Sequence, residues 1–208
     1  SFPISSGLLL TTGNAIAAQG PNNSTTLSNN IPATPSVASD PHLNILAAGN
    51  VTNGVVLEFD FIPTGDTLNF RYIFGSEEYP EFSPSTFNDA FGLFLWGPGI
   101  TGPYALAGYA NGANIATIPG GIPVTINNVG DASNTQYYVF NDNGSTYGNA
   151  IQYDGTTVLL TAAASVQCNE TYHIKLAISN VSDQSYDSGV FLEANSFSSN
   201  VVDVAVAT

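Results

Sequence analysis

Acidic side chains are concentrated between residues 74 and 91, where the chain reads FGSEEYPEFSPSTFNDAF. Glu77 and Glu78 follow an alternating apolar stretch, and Asn88 and Asp89 open the next apolar stretch. If both stretches are strands, oxygen-bearing side chains at the end of one and the start of the other can meet across the proline-containing loop. Ca²⁺ prefers such oxygen ligands, taking about six to eight of them. The segment therefore predicts a calcium site, with a solvated acidic loop as the alternative.

Burial sharpens the case for a bound cation. Adjacent glutamates repel each other, and burying them uncompensated beside phenylalanines is costly, whereas a divalent cation removes both penalties. We expect Glu81, in the same loop, to be solvated and to take no part. Asp187 either completes the site from a second loop or bonds the backbone two residues on in an Asx turn. The pair Asp154-Gly155 predicts a turn.

Motifs typical of enzymes do not occur in the sequence. His42 and His173 are the only histidines, and neither stands in a paired metal-binding spacing. There is no nucleophile elbow, phosphate-binding loop or dinucleotide fingerprint. A glycosidase pair among Glu77, Glu78 and Asp89 is the least favoured alternative, since it requires one carboxyl group kept protonated. We therefore predict a protein that is not an enzyme.

The charge balance restricts the partners. Two basic residues, Arg71 and Lys175, stand against 16 acidic ones, which gives a net charge of −14. Nucleic acid binding requires neutralising phosphates with Lys and Arg, so we exclude it. A multivalent cation suits this balance, although acidity also keeps a surface protein soluble. No stretch of about 20 apolar residues is present, which argues against direct membrane insertion.

Alternating or continuous apolar stretches separated by Gly, Pro, Asn and Asp clusters predict many short strands. Two short helices are candidates, at 14–18 and at 43–48, the second after an N-cap and proline at Asp40-Pro41. We predict an all-β, antiparallel β-sandwich of jelly-roll-like form with one or two short helices. It forms one domain over 1–208, with a long polar loop at 19–39 and a strand-like terminal segment at about 200–208. The predicted strands are 55–62, 67–74, 90–96, 123–127, 136–141, 157–163, 171–179 and 188–194.

Nearly the whole chain, in order, resembles the choice-of-anchor L domain, a module of bacterial cell-surface and secreted proteins. The stretches that carry the resemblance are GLLLTTGNA (7–15), LEFDFIPTGDTLNFRYIFGSEEYPEF (57–82), FNDAFGLFLWGPG (87–99), NIATIPGGIPVTINNV (114–129), YDGTTVLLTA (153–162) and TYHIKLAISNVSDQSYDSGVFLEANSF (171–197).

The resemblance implies an extracellular β-sandwich displayed on a cell surface or secreted. It singles out GSEEY, FNDAFG and DSGVFLE, and it thereby favours Asp187 as a site residue over a turn residue. The proposed metal ligands are then Glu77, Glu78, Asn88, Asp89 and Asp187. That they bind calcium is inferred from the chemistry of their side chains.

We predict a non-enzymatic, calcium-stabilised extracellular module of a cell-surface adhesin. Its partner would be an extracellular carbohydrate or another surface ligand, and Tyr79, Tyr104 and Tyr109 lie in or near loops where aromatic rings could stack on sugars. The alternative is a subunit of an extracellular filament, in which the terminal segments SFPISSGLLL and VVDVAVAT pair with identical subunits by strand addition.

Overall fold

A computed structural model describes residues 1–26, 39–141, 146–147 and 149–200. Residues 201–208 of the predicted strand-like terminal segment at about 200–208, and most of the predicted loop at 19–39, lie outside the described residues. The helix is α1 (Pro41–Ala47). The strands are β1 (Gly7–Thr11), β2 (Val51–Phe61), β3 (Thr67–Ser76), β4 (Ala90–Trp96), β5 (Ala113–Asn114), β6 (Thr117–Ile118), β7 (Ile122–Pro123), β8 (Tyr138–Phe140), β9 (Gly155–Thr157), β10 (Leu160–Ser165), β11 (Tyr172–Val181), β12 (Ser188–Glu193) and β13 (Ser198–Asn200).

The strands of the described residues form two main antiparallel sheets. The larger sheet has the order β1-β12-β3-β9-β8, and β10 and β13 also pair with β3. The smaller sheet has the order β2-β11-β4-β5, while β6 and β7 form a separate hairpin. These pairings confirm the predicted all-β antiparallel sandwich. β3 and β11 are the central strands on which neighbouring strands assemble.

The main core lies between the inner faces of the two sheets. Leu68, Phe70, Tyr72 and Phe74 alternate along β3 and are all buried, as the sequence pattern predicts. They share one apolar cluster with side chains of β4, β11 and β12. β4 is buried along its whole length, because the sandwich covers one of its faces and α1 contacts the other.

Helix α1 packs on the outer face of the smaller sheet. The Asp40 side chain accepts hydrogen bonds from the backbone N–H groups of His42 and Leu43, both at 3.0 Å, as expected of an N-cap. The apolar side of the helix packs with Phe94 and Trp96 of β4 in a second apolar cluster. The predicted helix and its cap are thus confirmed.

Several local predictions differ from the structure. The predicted helix at 14–18 is wrong: these residues form a turn closed by a 2.8 Å hydrogen bond from Ala17 N to Asn14 O. The Asn14 side chain also accepts a 3.0 Å hydrogen bond from Ile16 N, a local bond that competes with helix formation. Of the predicted strand at 123–127, only its first residue lies in a strand, β7. The predicted strand at 136–141 begins as a 3-10 helix at Thr135–Tyr137. Nowhere in the described ranges is there a helix long and apolar enough to span a bilayer.

Candidate functional site

The end of β3 and the start of β12 bring two of the predicted acidic segments together. The two strands pair antiparallel with Ser188 opposite Ser76. Glu77 follows β3 and Asp187 precedes β12, so strand register alone makes them neighbours. Glu77 N donates a 3.0 Å hydrogen bond to the Asp187 backbone carbonyl. The two loops therefore lie at the same end of the larger sheet.

Asp89 joins the two sheets at the same end of the sandwich. It precedes β4, and its Oδ1 accepts a 2.9 Å hydrogen bond from Val181 N at the end of β11. Its Oδ2 accepts a 2.6 Å hydrogen bond from Ser188 Oγ of β12. Ser188 Oγ also lies 2.8 Å from Ser76 Oγ. A buried polar network therefore connects β3, β4, β11 and β12.

Glu77 and Glu78 are buried beside this network, and Glu78 N donates a 3.0 Å hydrogen bond to Ser76 Oγ. Their exposed fractions are 3% and 1%, and one carboxyl oxygen of each, Oε2, has no hydrogen-bond partner among the described residues. Burial, then Asp154 and Asp187, raises the pKa of Glu77 from 4.5 to about 10. Burial, then Asp89 and Asp183, raises the pKa of Glu78 from 4.5 to about 9. Without a bound cation, both side chains hold their protons at neutral pH.

Asp154 is a member of this cluster that the sequence analysis assigned only to a turn. It precedes β9 and is fully buried. β9 pairs with the end of β3, with Gly155 opposite Ser76, and this register places the Asp154 side chain in hydrogen-bonding contact with that of Glu77. Asn22 Nδ2 donates to Asp154 Oδ1 at 2.7 Å. No local pattern could reveal this contact, because it depends on pairing between distant strands.

The basic side chains of the protein contact residues outside this acidic cluster. Lys175 contacts Asp40 and His42, and Arg71 forms a 2.9 Å ion pair with Glu193. The remaining histidine, His173, contacts Asp60 at 2.7 Å. The sequence contains no other lysine, arginine or histidine. The negative charge of the buried carboxylates must therefore be neutralised by protons or by a bound cation.

The acidic side chains are not arranged as a complete metal site. Within the described residues, no three or more His, Cys, Asp or Glu side chains form a group that could hold a metal ion. The cluster instead consists of neighbouring acidic side chains, with Glu77 close to Asp154 and Asp187, and Glu78 close to Asp89. Metal binding here would require the carboxylates to turn towards a shared centre.

Asn88 lies at the margin of this cluster. Its Oδ1 accepts a 3.0 Å hydrogen bond from Asn127 N, and its Nδ2 donates to Ala47 O at 3.3 Å. Both ends of the amide therefore hold the segment before β4 against neighbouring backbone. Glu81 is exposed, as expected.

Two of the three tyrosines expected to contact a sugar are buried. Tyr79 has 0% exposure, and its hydroxyl donates a hydrogen bond to Val129 O. Tyr104 is also buried, with its ring 4.8 Å from that of Phe94. For these two residues the expected stacking on sugars is wrong, because their rings pack in the interior. Tyr109 is half-buried.

The loop after β1 packs against the acidic cluster at Asp187 and Ser188. Ser188 N donates to Thr12 Oγ1 at 2.9 Å, and Asn53 Nδ2 donates to the Thr12 carbonyl at 2.6 Å. A Cβ atom added at Gly13 would lie 1.9 Å from Asp187 Oδ2. Only a residue without a side chain fits between this loop and Asp187.

A family model for the choice-of-anchor L domain matches residues 1–198. The chain belongs to the choice-of-anchor L family. Membership indicates a bacterial surface-associated module that is secreted or displayed at the cell surface, and the family is not known for enzymatic activity. No curated protein and no solved structure matches the chain.

Proposed function

We propose that this choice-of-anchor L domain is a non-enzymatic, calcium-stabilised module of a bacterial cell-surface adhesin. One observation carries the proposal. Glu77 and Glu78 are buried with unpartnered carboxyl oxygens, while each cationic side chain of the chain contacts other residues. A bound divalent cation would supply the missing positive charge.

The carboxylates Glu77, Glu78, Asp89, Asp154 and Asp187 are the proposed ligands. In the absence of metal, protons shared between neighbouring carboxyl groups keep the cluster neutral enough to be buried. Ca²⁺ would displace these protons and draw the carboxylates together. Asn88 supports the site by fixing the segment that carries Asp89.

Calcium fits this cluster better than a transition metal does. The proposed ligands are oxygens, which hard cations prefer, and no thiolate or imidazole takes part. Calcium also tolerates variable coordination geometry, whereas Mg²⁺ requires near-ideal octahedral geometry. The proposed carboxylate ligands lie at the ends of four separate strands, and Ca²⁺ accommodates such an irregular arrangement more easily than Mg²⁺ does.

Thermal melting with and without calcium tests the proposal. We expect added Ca²⁺ to raise Tm and chelation to lower it, since a ligand that binds only the folded state stabilises it. Glu77→Gln should abolish the shift, and Glu81→Gln, at an exposed position in the same loop, should retain it. Unchanged Tm in both conditions, together with no metal by elemental analysis, would refute calcium binding.

Burial weighs against the glycosidase alternative. A glycosidase needs both carboxyl groups to flank a sugar ring, but Glu77, Glu78 and Asp89 are each at most 3% exposed. An adhesive function would instead use the surface, where Tyr109 is the one of the three predicted tyrosines that remains partly exposed. Loss of glycan binding in Tyr109→Ala, with Tm unchanged, would support a carbohydrate ligand.

A filament subunit remains the second candidate. Among the described strands, β1 lies at one edge of the larger sheet, and an edge strand has an unpaired side that can accept a strand from a neighbour. Five residues of β1 already pair with β12 of the same chain, so the described N-terminal strand is engaged within its own sheet. Concentration-dependent polymerisation of the purified protein would favour the filament over the adhesin module.

A further inference from the structure

The only lysine of the chain is buried beneath helix α1. Lys175 lies on the outer face of β11, is 5% exposed, and has its Nζ 5.6 Å from the centre of the Phe94 ring. Nζ donates a hydrogen bond to Asp40 Oδ2 and lies 2.9 Å from His42 Nδ1. An amine and a carboxyl group are thus held together in an apolar enclosure, 135 residues apart in sequence.

The Asp40 carboxyl group is held in one orientation. Its Oδ1 accepts two backbone hydrogen bonds of 3.0 Å, from His42 N and Leu43 N. Its Oδ2 faces Lys175 Nζ. Two N–H donors on Oδ1 would stabilise negative charge developing on that oxygen, while the other oxygen is directed at the amine.

His42 is oriented to accept a proton from Lys175. Its Nε2 lies 2.8 Å from Ala105 O, and a carbonyl oxygen only accepts hydrogen bonds, so Nε2 carries the hydrogen. In the neutral imidazole, Nδ1 is then the acceptor, and it faces Nζ. The imidazole packs against Trp96 and Phe94, with ring centres 5.0 and 5.3 Å away, which keeps it in place.

We propose that Lys175 and Asp40 form an intramolecular amide bond, with His42 as the base. One Nζ proton passes along the hydrogen bond to Oδ2, which leaves a neutral amine beside a neutral carboxylic acid. Nζ attacks Cγ and gives a second proton to His42 Nδ1, while Oδ1 takes up the negative charge. The Cγ–Oδ2 bond then breaks, and Oδ2 leaves as water with the proton returned by His42.

The site favours this reaction over the ion pair. A buried ion pair carries a large desolvation penalty, and forming the amide replaces two buried charges by one neutral group. Fixing amine and carboxyl together corresponds to an effective concentration of about 10⁵ M or more. Exclusion of water from the enclosure also protects the product from hydrolysis. The reaction occurs once per chain and involves no turnover.

The bond would give this surface-associated domain a covalent crosslink. With one cysteine in the sequence, an intrachain disulfide cannot form. The amide would attach Asp40, the N-cap residue of α1, to β11 of the smaller sheet. Crosslinks that close long loops restrict the unfolded chain most strongly.

Intact mass and tryptic digestion test the bond directly. We expect the folded protein to be lighter than its sequence mass by one water molecule. Trypsin has two cleavage positions, after Arg71 and after Lys175, and an acylated lysine is not cleaved. Digestion in denaturant should therefore give residues 1–71 covalently joined to 72–208. Folded protein at the full sequence mass, cut into three separate fragments, would overturn the proposal.

Lys175→Arg is the matched control, because it retains the positive charge and the trypsin site but supplies no amine. We expect this variant at its full sequence mass, in three fragments, with Tm lower by about 10–20 °C. His42→Gln should leave a larger uncrosslinked fraction in folded protein, a result that a purely structural role for His42 would not produce. A wild-type-like crosslinked fraction in folded His42→Gln would contradict its role as the base.

Discussion

At the scale of single residues, the unusual feature of this domain is a set of acidic side chains kept inside it. Glu77 and Glu78 cannot be neutralised by lysine or arginine, because Lys175 and Arg71 contact other residues. Their raised pKa values, about 10 and about 9, follow first from burial and then from neighbouring carboxylates. The same environment that holds protons on these groups would hold a cation.

Glu77→Gln should therefore change the response to pH as well as the response to calcium. Gln has a similar shape but cannot ionise, so the folded variant no longer needs to hold a proton at this position. In chelator, we expect its Tm to decline less than that of the wild type between pH 5 and pH 9. Glu81→Gln is the control and should follow the wild-type profile. A Glu77→Gln profile parallel to the wild type would contradict the assignment.

Ser188→Ala tests the hydrogen bonds around Asp89. The substitution removes the contact with Ser76 Oγ and the hydrogen bond donated to Asp89 Oδ2, so this buried carboxyl oxygen loses its donor. We expect a loss of about 1–3 kcal/mol in the free energy of unfolding, measured by denaturant titration. Ser182→Ala, which removes an exposed hydrogen bond to Thr86 O, should cost less than about 0.5 kcal/mol. Equal costs would argue against the network.

At the scale of elements, the site is built where strand ends from both sheets meet. β3, β9 and β12 belong to the larger sheet and supply Glu77, Asp154 and Asp187 at or beside their ends. β4 belongs to the smaller sheet and is preceded by Asp89. The loop after β1 closes over them. Each element needs its neighbours in register, so the cluster forms only when the sandwich is complete.

Gly13→Ala tests the packing of this loop on the site. The added Cβ would lie within 2.6 Å of three atoms of the Asp187 carboxylate, so the loop or Asp187 must move. We expect a lower Tm and a smaller calcium-induced shift. In a double-mutant cycle with Asp187→Ala, most of the cost of Gly13→Ala should disappear, because the atoms it meets are gone. Additive costs would show that the clash lies elsewhere.

At the scale of the whole molecule, the protein has a net charge of −14 and buries several acidic side chains. We therefore expect its free energy of unfolding to depend on both pH and calcium concentration. In unfolded chains the glutamates lose their protons near 4.5, whereas in the folded protein Glu77 and Glu78 retain them to about 10 and about 9. Between these values the folded state binds more protons than the unfolded state. The contribution of Glu77 and Glu78 to the free energy of unfolding is therefore complete below pH 4.5 and decreases as the pH rises above that value.

We expect Tm in chelator to fall steadily from pH 5 to pH 9, with the free energy of unfolding decreasing by about 1.4 kcal/mol per pH unit for each proton released on unfolding. Because Ca²⁺ competes with these protons, the calcium-induced rise in Tm should be larger at pH 9 than at pH 6. Scanning calorimetry across this range, with NaCl of equal ionic strength as the control, measures both effects. A calcium shift independent of pH would contradict proton displacement.

The sequence by itself determined the all-β class, the inner face of β3, the buried β4 and the capped helix α1, because the period of apolar residues and the turn and cap residues act locally. It also predicted one site from Glu77, Glu78, Asn88 and Asp89 at strand ends, to which the family resemblance added Asp187. Only the tertiary structure placed Asp154 beside Glu77, buried Tyr79, and brought Lys175 to Asp40. Those contacts depend on register between strands far apart in the chain, and local periodicity carries no information about which distant strand becomes a neighbour.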